Sequence, residues 1–291
     1  MSAPTSILHF ADVHFGVEDE AALATLAETV DRLQPDVCVI SGDITQTGAE
    51  EEFERAARWI DSLPGPKVIC PGNHDTPMYG IIDRVIKPFD RYADYIDPLD
   101  DAHYEDDHVV IQSLNTARGV QMKLDWSVGV VNMEDLEARI ARFHESDPHK
   151  LRLLNVHHPF VYPPEAPLQK TTDNGPEGLR RLSDGNCDAV LSGHVHIPFV
   201  VEREPGGSEI LSVSAGTLST RRRGNDAAFN HIVVDEHDMA IRMVSFENGA
   251  FVDSEMFRKP RQELSQWRRD GYTAMRKDAA VLDTQAGEAP V

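Results

Sequence analysis

Short apolar runs alternate with amphipathic stretches in the N-terminal part of the chain. The runs Ile7–Ala11, Val37–Ile40 and Lys67–Cys70 have the length expected of buried strands. The stretches between them, over 18–33 and 53–63, repeat apolar residues every three or four positions, which predicts two helices. This β-α-β-α-β order favours a parallel sheet with right-handed crossover connections.

The second half of the chain repeats this style and then changes to strands alone. Strand-like runs over 109–114, 151–156 and 189–191 accompany a helix that is expected to begin after the N-cap residue Asn132. Beyond them the spacing is typical of antiparallel strands, over Phe199–Arg203, Glu209–Ser214, Phe229–Val234 and Met239–Phe246. These strands are expected to complete a second sheet. The predicted fold class is α/β, a four-layer α/β/β/α sandwich of two mixed sheets flanked by helices.

The composition shifts near residue 258, which predicts one domain over 1–258 and a C-terminal segment over 259–291. Within that segment, 262–276 could form one polar helix, and 278–291 is typical of a frayed tail. The helix could pack on the domain or on a partner subunit, so a homo-oligomer is left open. A long proline-rich loop, expected between His158 and Gly178, is of the kind that often carries function.

Charge and composition restrict the classes of function. The formal net charge is −21, from 28 basic and 49 acidic residues, so a nucleic-acid polymer is not an expected partner. No apolar run approaches the roughly 20 residues of a membrane span, and no signal-peptide pattern is seen at the N-terminus. The three cysteines stand singly in apolar runs. Buried, reduced thiols in a cytoplasmic protein are therefore expected.

Side chains of metal-binding types follow five of the predicted strands. In chain order the blocks are Asp12-x-His14, Gly42-Asp43, Gly72-Asn73-His74-Asp75, His157-His158-Pro159 and Gly193-His194-x-His196. Any one block could arise by chance, and Asp43 alone could cap a helix. Because ligands gather at the carboxyl ends of strands in open α/β sheets, five blocks predict one metal site. Oxygen and imidazole donors without thiolate favour Mn, Fe or Zn. His9 lies within its strand, and a core hydrogen bond is expected for it.

Taken together, the five blocks resemble the motif of the calcineurin-like metallophosphoesterase superfamily, over nearly all of residues 5–247. The resemblance implies two divalent metal ions (Mn, Fe or Zn) that activate water to hydrolyse a small-molecule phosphate ester. It makes Asp43 the bridge between them. The remaining implied ligands are Asp12, His14 and His196 on one ion, and Asn73, His157 and His194 on the other.

The resemblance also implies catalytic roles for two residues. His74 follows the ligand Asn73 and is expected to protonate the leaving alkoxide or to stabilise developing charge. Asp75 is expected to hold the imidazole of His74 in its productive tautomer. Substrate contacts are hypothesised for Asn115, His158, Thr217 and Arg221. For the Arg221–Arg223 loop, a solvated surface that pairs with nearby acids is an equal alternative.

The residues of two blocks, His157-His158-Pro159 and 193–198, are similar to those of bacterial cyclic-nucleotide and glycerophosphodiester phosphodiesterases. This favours a phosphodiesterase that acts on small diesters such as cyclic AMP. Phosphomonoesters, phosphoproteins and a nucleotide-lipid pyrophosphate remain alternative substrates, the last with 160–168 as an apolar lid. A non-catalytic interaction scaffold is a further alternative. A DNA-repair nuclease of the same superfamily is disfavoured by the acidic charge.

Overall fold

The apolar runs identified above form the centres of two separate sheets in the computed structural model, which describes residues 2–79, 81–119, 127–162, 172–203, 209–261 and 263–264. The strands are β1 (Thr5–Phe10), β2 (Val37–Ser41), β3 (Lys67–Cys70), β4 (His103–Glu105), β5 (Val109–Ser113), β6 (Leu151–Asn155), β7 (Ala189–Ser192), β8 (Phe199–Arg203), β9 (Ile210–Ser214), β10 (Ala228–Val234), β11 (Asp238–Glu247) and β12 (Ala250–Pro260). The helices are α1 (Glu20–Leu33), α2 (Glu50–Ser62), α3 (Ile81–Ile86), α4 (Asp90–Tyr95), α5 (Met133–Glu145) and α6 (Gly175–Asp184).

Both sheets are mixed. The first has the order β12-β11-β10-β1-β2-β3, with β1, β2 and β3 parallel and β10 antiparallel to β1. The second has the order β4-β5-β6-β7-β9-β8, with parallel central strands and antiparallel strands at both edges. In both sheets the candidate donor blocks follow parallel strands, namely β1, β2 and β3 in the first and β6 and β7 in the second.

Three apolar clusters separate the layers. The cluster between the sheets includes Val39, Leu153 and Ile241, each of which is fully buried. A second cluster packs α1 and α2 on the outer face of the first sheet, and a third packs α5 and α6 on the second sheet. The predicted four-layer α/β/β/α sandwich is thereby confirmed. Among the helices that the structure describes, none is long and apolar enough to cross a membrane.

Strands β10 and β11 lie in the first sheet, so the prediction that they complete the second sheet was wrong. Strand β10 pairs along the side of β1 that β2 leaves open, in a register that joins Thr5 to Val234. Only β8 and β9 extend the second sheet. The antiparallel spacing in the sequence indicated strands correctly, but it carried no information about the sheet that each strand joins.

Two further elements differ from the sequence prediction. Helix α6 begins inside the predicted loop, with Pro176 in its first turn, where proline costs no hydrogen bond. Strand β12 crosses the predicted boundary at residue 258, and Arg261 and Leu264 beyond it are buried. Residues 163–171 of the loop lie outside the described residues. Residues 262 and 265–276 of the predicted helix and the whole predicted tail also lie outside the described residues.

A buried polar side chain joins the two sheets. Asn155, at the end of β6, donates from Nδ2 to the backbone oxygens of Ile40 (3.2 Å) and Val68 (3.1 Å) in the first sheet. Its Oδ1 accepts a hydrogen bond of 2.6 Å from the hydroxyl of Ser41. Because backbone and side-chain groups are both satisfied, this contact fixes the offset between the sheets at their carboxyl ends.

His9 completes the same network, in agreement with the expectation of a core hydrogen bond. Its Nε2 lies 2.8 Å from the Ser41 hydroxyl oxygen, and its Nδ1 lies 3.3 Å from Nδ2 of Asn230. Since the Ser41 hydroxyl donates to Asn155, the Nε2–H of His9 is the donor to Ser41. Burial lowers the pKa of His9 to about 3, although the Asp12 carboxylate opposes this shift.

Replacing Asn155 with Leu is expected to reduce the free energy of unfolding by about 2–4 kcal/mol, because each buried polar group left without a partner costs about 1–3 kcal/mol. Urea unfolding at neutral pH measures the change. Ser113→Ala removes only one partner of Asn155, at 3.0 Å, and is expected to cost about 1 kcal/mol or less. Equal stability of Asn155→Leu and the wild type would contradict the structural role.

His9 also makes the stability of the protein depend on pH. Below about pH 6.5 the unfolded chain binds a proton at this residue, whereas the folded chain does so only near pH 3. The contribution of neutral His9 to the free energy of unfolding is therefore complete above pH 6.5. It falls as the pH drops towards 3, by up to about 1.4 kcal/mol per pH unit. His9→Gln is expected to flatten the dependence by this amount, measured by denaturant unfolding between pH 7 and pH 5. An unchanged slope would contradict the assignment.

Candidate metal centre

Loops from both sheets bring the predicted donors to one edge of the sandwich. Asp12 and His14 follow β1, Asp43 follows β2, and Asn73 follows β3 in the first sheet. His157 follows β6 in the second sheet. His194 and His196 follow β7 in the same sheet. All seven side chains are at most 8% exposed. The side chains whose convergence the sequence predicted are thus neighbours in a buried cluster.

Within this cluster the donors form two groups with one carboxylate between them. In the first group, Nε2 of His196 lies 3.2 Å from Oδ1 of Asp12 and 3.2 Å from Nε2 of His14. In the second, Nε2 of His157 lies 3.3 Å from the amide oxygen of Asn73 and 3.3 Å from Nδ1 of His194.

Asp43 stands between these groups. Its Oδ2 is 3.3 Å from His157 Nε2 and 3.8 Å from His14 Nε2, so one carboxylate oxygen faces a histidine of each group.

Backbone carbonyls orient three of the imidazoles. The contacts are His14 Nδ1 to Thr45 O (3.3 Å), His157 Nδ1 to Ser41 O (2.7 Å) and His196 Nδ1 to Arg221 O (2.8 Å). A neutral imidazole that donates from Nδ1 presents a lone pair on Nε2. In their neutral form these three imidazoles therefore present Nε2 lone pairs to a buried space that also holds carboxylate and amide oxygens. Metal-binding histidines are held in this way, and this donor set fits a pair of divalent cations.

The backbone also aims the two carboxylates. The amide of His194 donates to Oδ2 of Asp12 at 2.8 Å, which leaves Oδ1 facing the first group. The amide of His74 donates to Oδ1 of Asp43 at 2.8 Å, which leaves Oδ2 between the groups. Five of the seven donors have left-handed backbone with φ of +49° to +70°, namely Asp12, His14, Asp43, His194 and His196. Such strain concentrates at functional sites, where surrounding contacts maintain it.

The electrostatics of the cluster favour positive charge beside its carboxylates. Burial alone would raise the pKa of Asp43, but His157 and His74 outweigh it and hold the pKa well below its usual value. Burial alone would lower the pKa of His157, and the Asp43 carboxylate overcomes this and raises it to about 9. Burial lowers the pKa of His14 to about 3. Asp43 therefore stays ionised, and a cation is the natural partner for its charge.

A close backbone approach keeps Asp43 in place. Gly42 has φ of +71°, and a Cβ there would lie 2.6 Å from the backbone nitrogen of Gly72. A Cβ on Gly72 would overlap the Oδ1 atom of Asp43. The loops after β2 and β3 thus pack backbone to backbone, and glycine is required at both positions.

A cavity of about 140 Å³ opens above the donors. Its walls are formed by Asp43, Asn73, His74, Ser127, His194, His196, Arg221 and Arg223. Arg221 was among the hypothesised substrate contacts, and its Nη1 lies 3.1 Å from His74 Nε2 and 3.4 Å from His14 Nε2. Arg223 lies in the same cationic loop, but Ser127 carries no sequence signal of its own.

His74 faces this cavity through Nε2, but Asp75 does not orient it as predicted. His74 Nδ1 lies 2.6 Å from the backbone oxygen of Gln46, a contact that the sequence analysis missed. The short 3₁₀ turn Asn73–Asp75 directs the Asp75 carboxylate inwards instead. There it accepts hydrogen bonds from the amides of Gly72 and Thr45, both at 2.8 Å. Burial, with the nearby Asp43, raises the pKa of Asp75 to about 6.

Three other hypothesised substrate residues do not line this cavity. The hydroxyl of Thr217, fully buried, donates to the backbone oxygen of Asp12 at 2.6 Å and supports that loop. Asn115 accepts a hydrogen bond of 2.8 Å from the amide two residues later and is exposed. His158 is fully buried, with Nδ1 at 3.0 Å from the Thr116 hydroxyl, and its ring packs 4.6 Å from those of His157 and His194.

Comparison with known proteins agrees with this geometry. The family model described as calcineurin-like phosphoesterase matches residues 5–198, which include all seven donors and His74. The chain is 26% identical over 209 residues to a probable cyclic nucleotide phosphodiesterase of Synechococcus sp., covering 68% of this chain and 76% of that protein. It is 26% identical over 169 residues to a probable glycerophosphodiester phosphodiesterase GpdQ of Arcobacter nitrofigilis, covering 56% of this chain and 57% of that protein.

Among solved structures, a dimetal phosphatase from Danio rerio superposes with a TM-score of 0.62 at 14% identity, covering 88% of this chain and all of that one. At this identity the similarity concerns the fold. The family model, by contrast, spans most of the chain and contains the whole donor cluster. The chain therefore belongs to the calcineurin-like phosphoesterase family and is a phosphoric ester hydrolase.

Proposed function

We propose that the protein is a phosphodiesterase that hydrolyses small phosphodiesters, cyclic AMP among them, with two divalent metal ions. The observation that carries the proposal is the position of Asp43 Oδ2 between two donor groups, at 3.3 Å and 3.8 Å from a histidine of each. The names of the two relatives support the diester class.

Asp43 contributes to both ions in this proposal. The other ligands are Asp12, His14 and His196 for one ion, and Asn73, His157 and His194 for the second. Mn, Fe or Zn suits these donors. The three cysteines are buried and form no disulfide among the described residues, which supports the cytoplasmic location included in the proposal.

Divalent ions in such a site lower the pKa of water and polarise phosphoryl oxygens. The residues of the chain supply the remaining functions. Arg221 lies in the cavity beside His74 and binds the non-bridging oxygens of the phosphate. An anionic phosphate is a better acceptor for its guanidinium than the neutral Nε2 of His74. Substrate binding thus releases Nε2, which takes up a proton from solvent. The resulting imidazolium, held through Nδ1–H by the Gln46 carbonyl, donates that proton to the leaving oxygen.

Substrate preference tests the proposal directly. The purified protein is loaded with Mn and assayed with bis(p-nitrophenyl) phosphate, cyclic nucleotides, glycerophosphodiesters and p-nitrophenyl phosphate. Diester hydrolysis that a chelator abolishes and Mn restores is the expected result. Clear preference for monoesters or phosphoproteins would overturn the diesterase assignment, and a chelator-resistant activity would overturn the metal dependence.

His74→Ala is expected to retain its metal content while kcat falls by about 10²–10⁴, the usual contribution of a general acid or base. Metal analysis and steady-state assays with a diester of a poor leaving group measure the two effects. His237→Ala, on the exposed turn between β10 and β11, serves as the control and should keep full activity. Unchanged turnover in His74→Ala would exclude the catalytic role.

Gly72→Ala is expected to lower both metal content and activity by at least about tenfold, since the added Cβ displaces the Asp43 carboxylate and ligand geometry is exacting. Gly249→Ala is the matched control. It strains a turn with φ of +87° in open space, far from the donors, so it should reduce stability without reducing metal content. Similar metal content in the two variants would argue against the role assigned to Gly72.

A further inference from the structure

A second cavity, of about 190 Å³, also borders His74. Its walls are formed by Asn73, His74, Thr76, Met78, Arg84 and Ser127. Three of these residues, Asn73, His74 and Ser127, also line the cavity above the donors. The two cavities therefore meet at the imidazole that faces the reaction site.

A fixed cation forms one wall of this second cavity. Arg84 is 8% exposed, and its guanidinium donates to the backbone oxygens of Gly119 (2.9 Å) and Pro77 (3.3 Å). These bonds hold the group in place, and an arginine remains charged at neutral pH. The six described residues that line this cavity include Arg84 and no carboxylate.

One wall of the same cavity is apolar, and exposed apolar side chains follow it along the chain. Met78 lines it and is 42% exposed. The other exposed large apolar side chains nearby in sequence are Tyr79, Val85 and Ile86, at 53–79% exposure. Within the described residues, four of the five exposed large apolar side chains thus belong to this one segment, with Val252 as the fifth. Exposed apolar side chains concentrated in one segment are typical of a binding surface.

We propose that this cavity is the leaving-group subsite, and that it accepts neutral or anionic alcohols with apolar surface while rejecting cationic alcohols such as choline. The inference rests on the proposed diesterase function. The phosphorus–oxygen bond to the alcohol in this cavity breaks, water supplies the new phosphorus–oxygen bond, and His74 protonates the departing oxygen.

Charge and chemistry together set this preference. A quaternary ammonium group is normally bound by aromatic faces or carboxylates, and here it would meet the Arg84 guanidinium. Like charges placed together in a partly buried site impose a cost on the wrong ligand, which is a common source of specificity. The Met78 thioether in the cavity wall favours a hydrocarbon or aryl group instead.

The test uses glycerophosphocholine and its 3,3-dimethylbutyl isostere, in which carbon replaces the charged nitrogen. Each diester can be cleaved on either side, so the product ratio reports which alcohol occupied the subsite. For glycerophosphocholine the wild type should release glycerol in at least about tenfold excess over choline, corresponding to about 1.4 kcal/mol of discrimination. For the isostere it should release mainly 3,3-dimethylbutanol. The ratio comes from one substrate at a time and does not depend on the fraction of active protein.

Two variants vary the charge of the subsite. Arg84→Met removes the cation and should shift the products of glycerophosphocholine towards choline by at least about threefold. Because Arg84 is buried and that variant could unfold, Met78→Glu at the exposed wall provides a second route to the same shift, with Met78→Gln as its uncharged control. Arg180→Met, on the exposed face of α6, should keep the wild-type ratio.

Choline as the main product of the wild type, or the same product ratio for both diesters, would overturn the subsite. So would an unchanged ratio in Met78→Glu. If bis(p-nitrophenyl) phosphate and both diesters resist the Mn-loaded protein, the proposed function itself fails and the subsite fails with it. The two failures are therefore distinguished by whether any diester is cleaved.

Discussion

The mutual repulsion of buried, electron-rich atoms is the constraint around which this molecule is arranged. Imidazole nitrogens, two carboxylates and an amide oxygen lie 3.2–3.8 Å apart, on side chains that are at most 8% exposed. Such a cluster is unfavourable unless positive charge compensates it. The fold tolerates it because five of the seven donors are held by the backbone. Amides hold Asp12 and Asp43, and carbonyls hold His14, His157 and His196.

That arrangement depends on the alignment of two sheets that share no strand. His157 belongs to the second sheet and Asp43 to the first, yet their ligand atoms are 3.3 Å apart. Asn155, two residues before His157, links the sheets through backbone carbonyls of β2 and β3. The hydrogen bond of His157 to Ser41 O continues the same link. The polar network in the core therefore places the donors relative to one another, while the apolar layers supply the stability.

The donors and the architecture were largely predictable because their signals are local. A strand followed by Asp or His can be recognised within about six residues, and the N-cap role predicted for Asn132 is confirmed by its bond to the amide of Glu134. What failed was information that the local sequence does not contain. The sheet that β10 joins is set by an open edge of β1, about 220 residues away.

The errors within the site have a similar origin. Adjacent residues in the 3₁₀ turn point in different directions, so sequence proximity of Asp75 to His74 did not imply contact. Gln46 acts on His74 through a backbone carbonyl, a group that every residue carries and that no residue type reveals. Arg84 comes to the pocket from a separate short helix.

The left-handed backbone conformation of five donor positions limits the amino acids that can occupy them, in addition to the limit set by metal-binding chemistry. Among non-glycine residues, Asn, Asp and His adopt this region most readily, whereas β-branched side chains are excluded. Glutamate offers the same carboxylate as aspartate but lacks this backbone tolerance and would place its oxygens one methylene further out. The presence of Asp and His at these five positions thus suits the path of the main chain as well as the chemistry of metal binding.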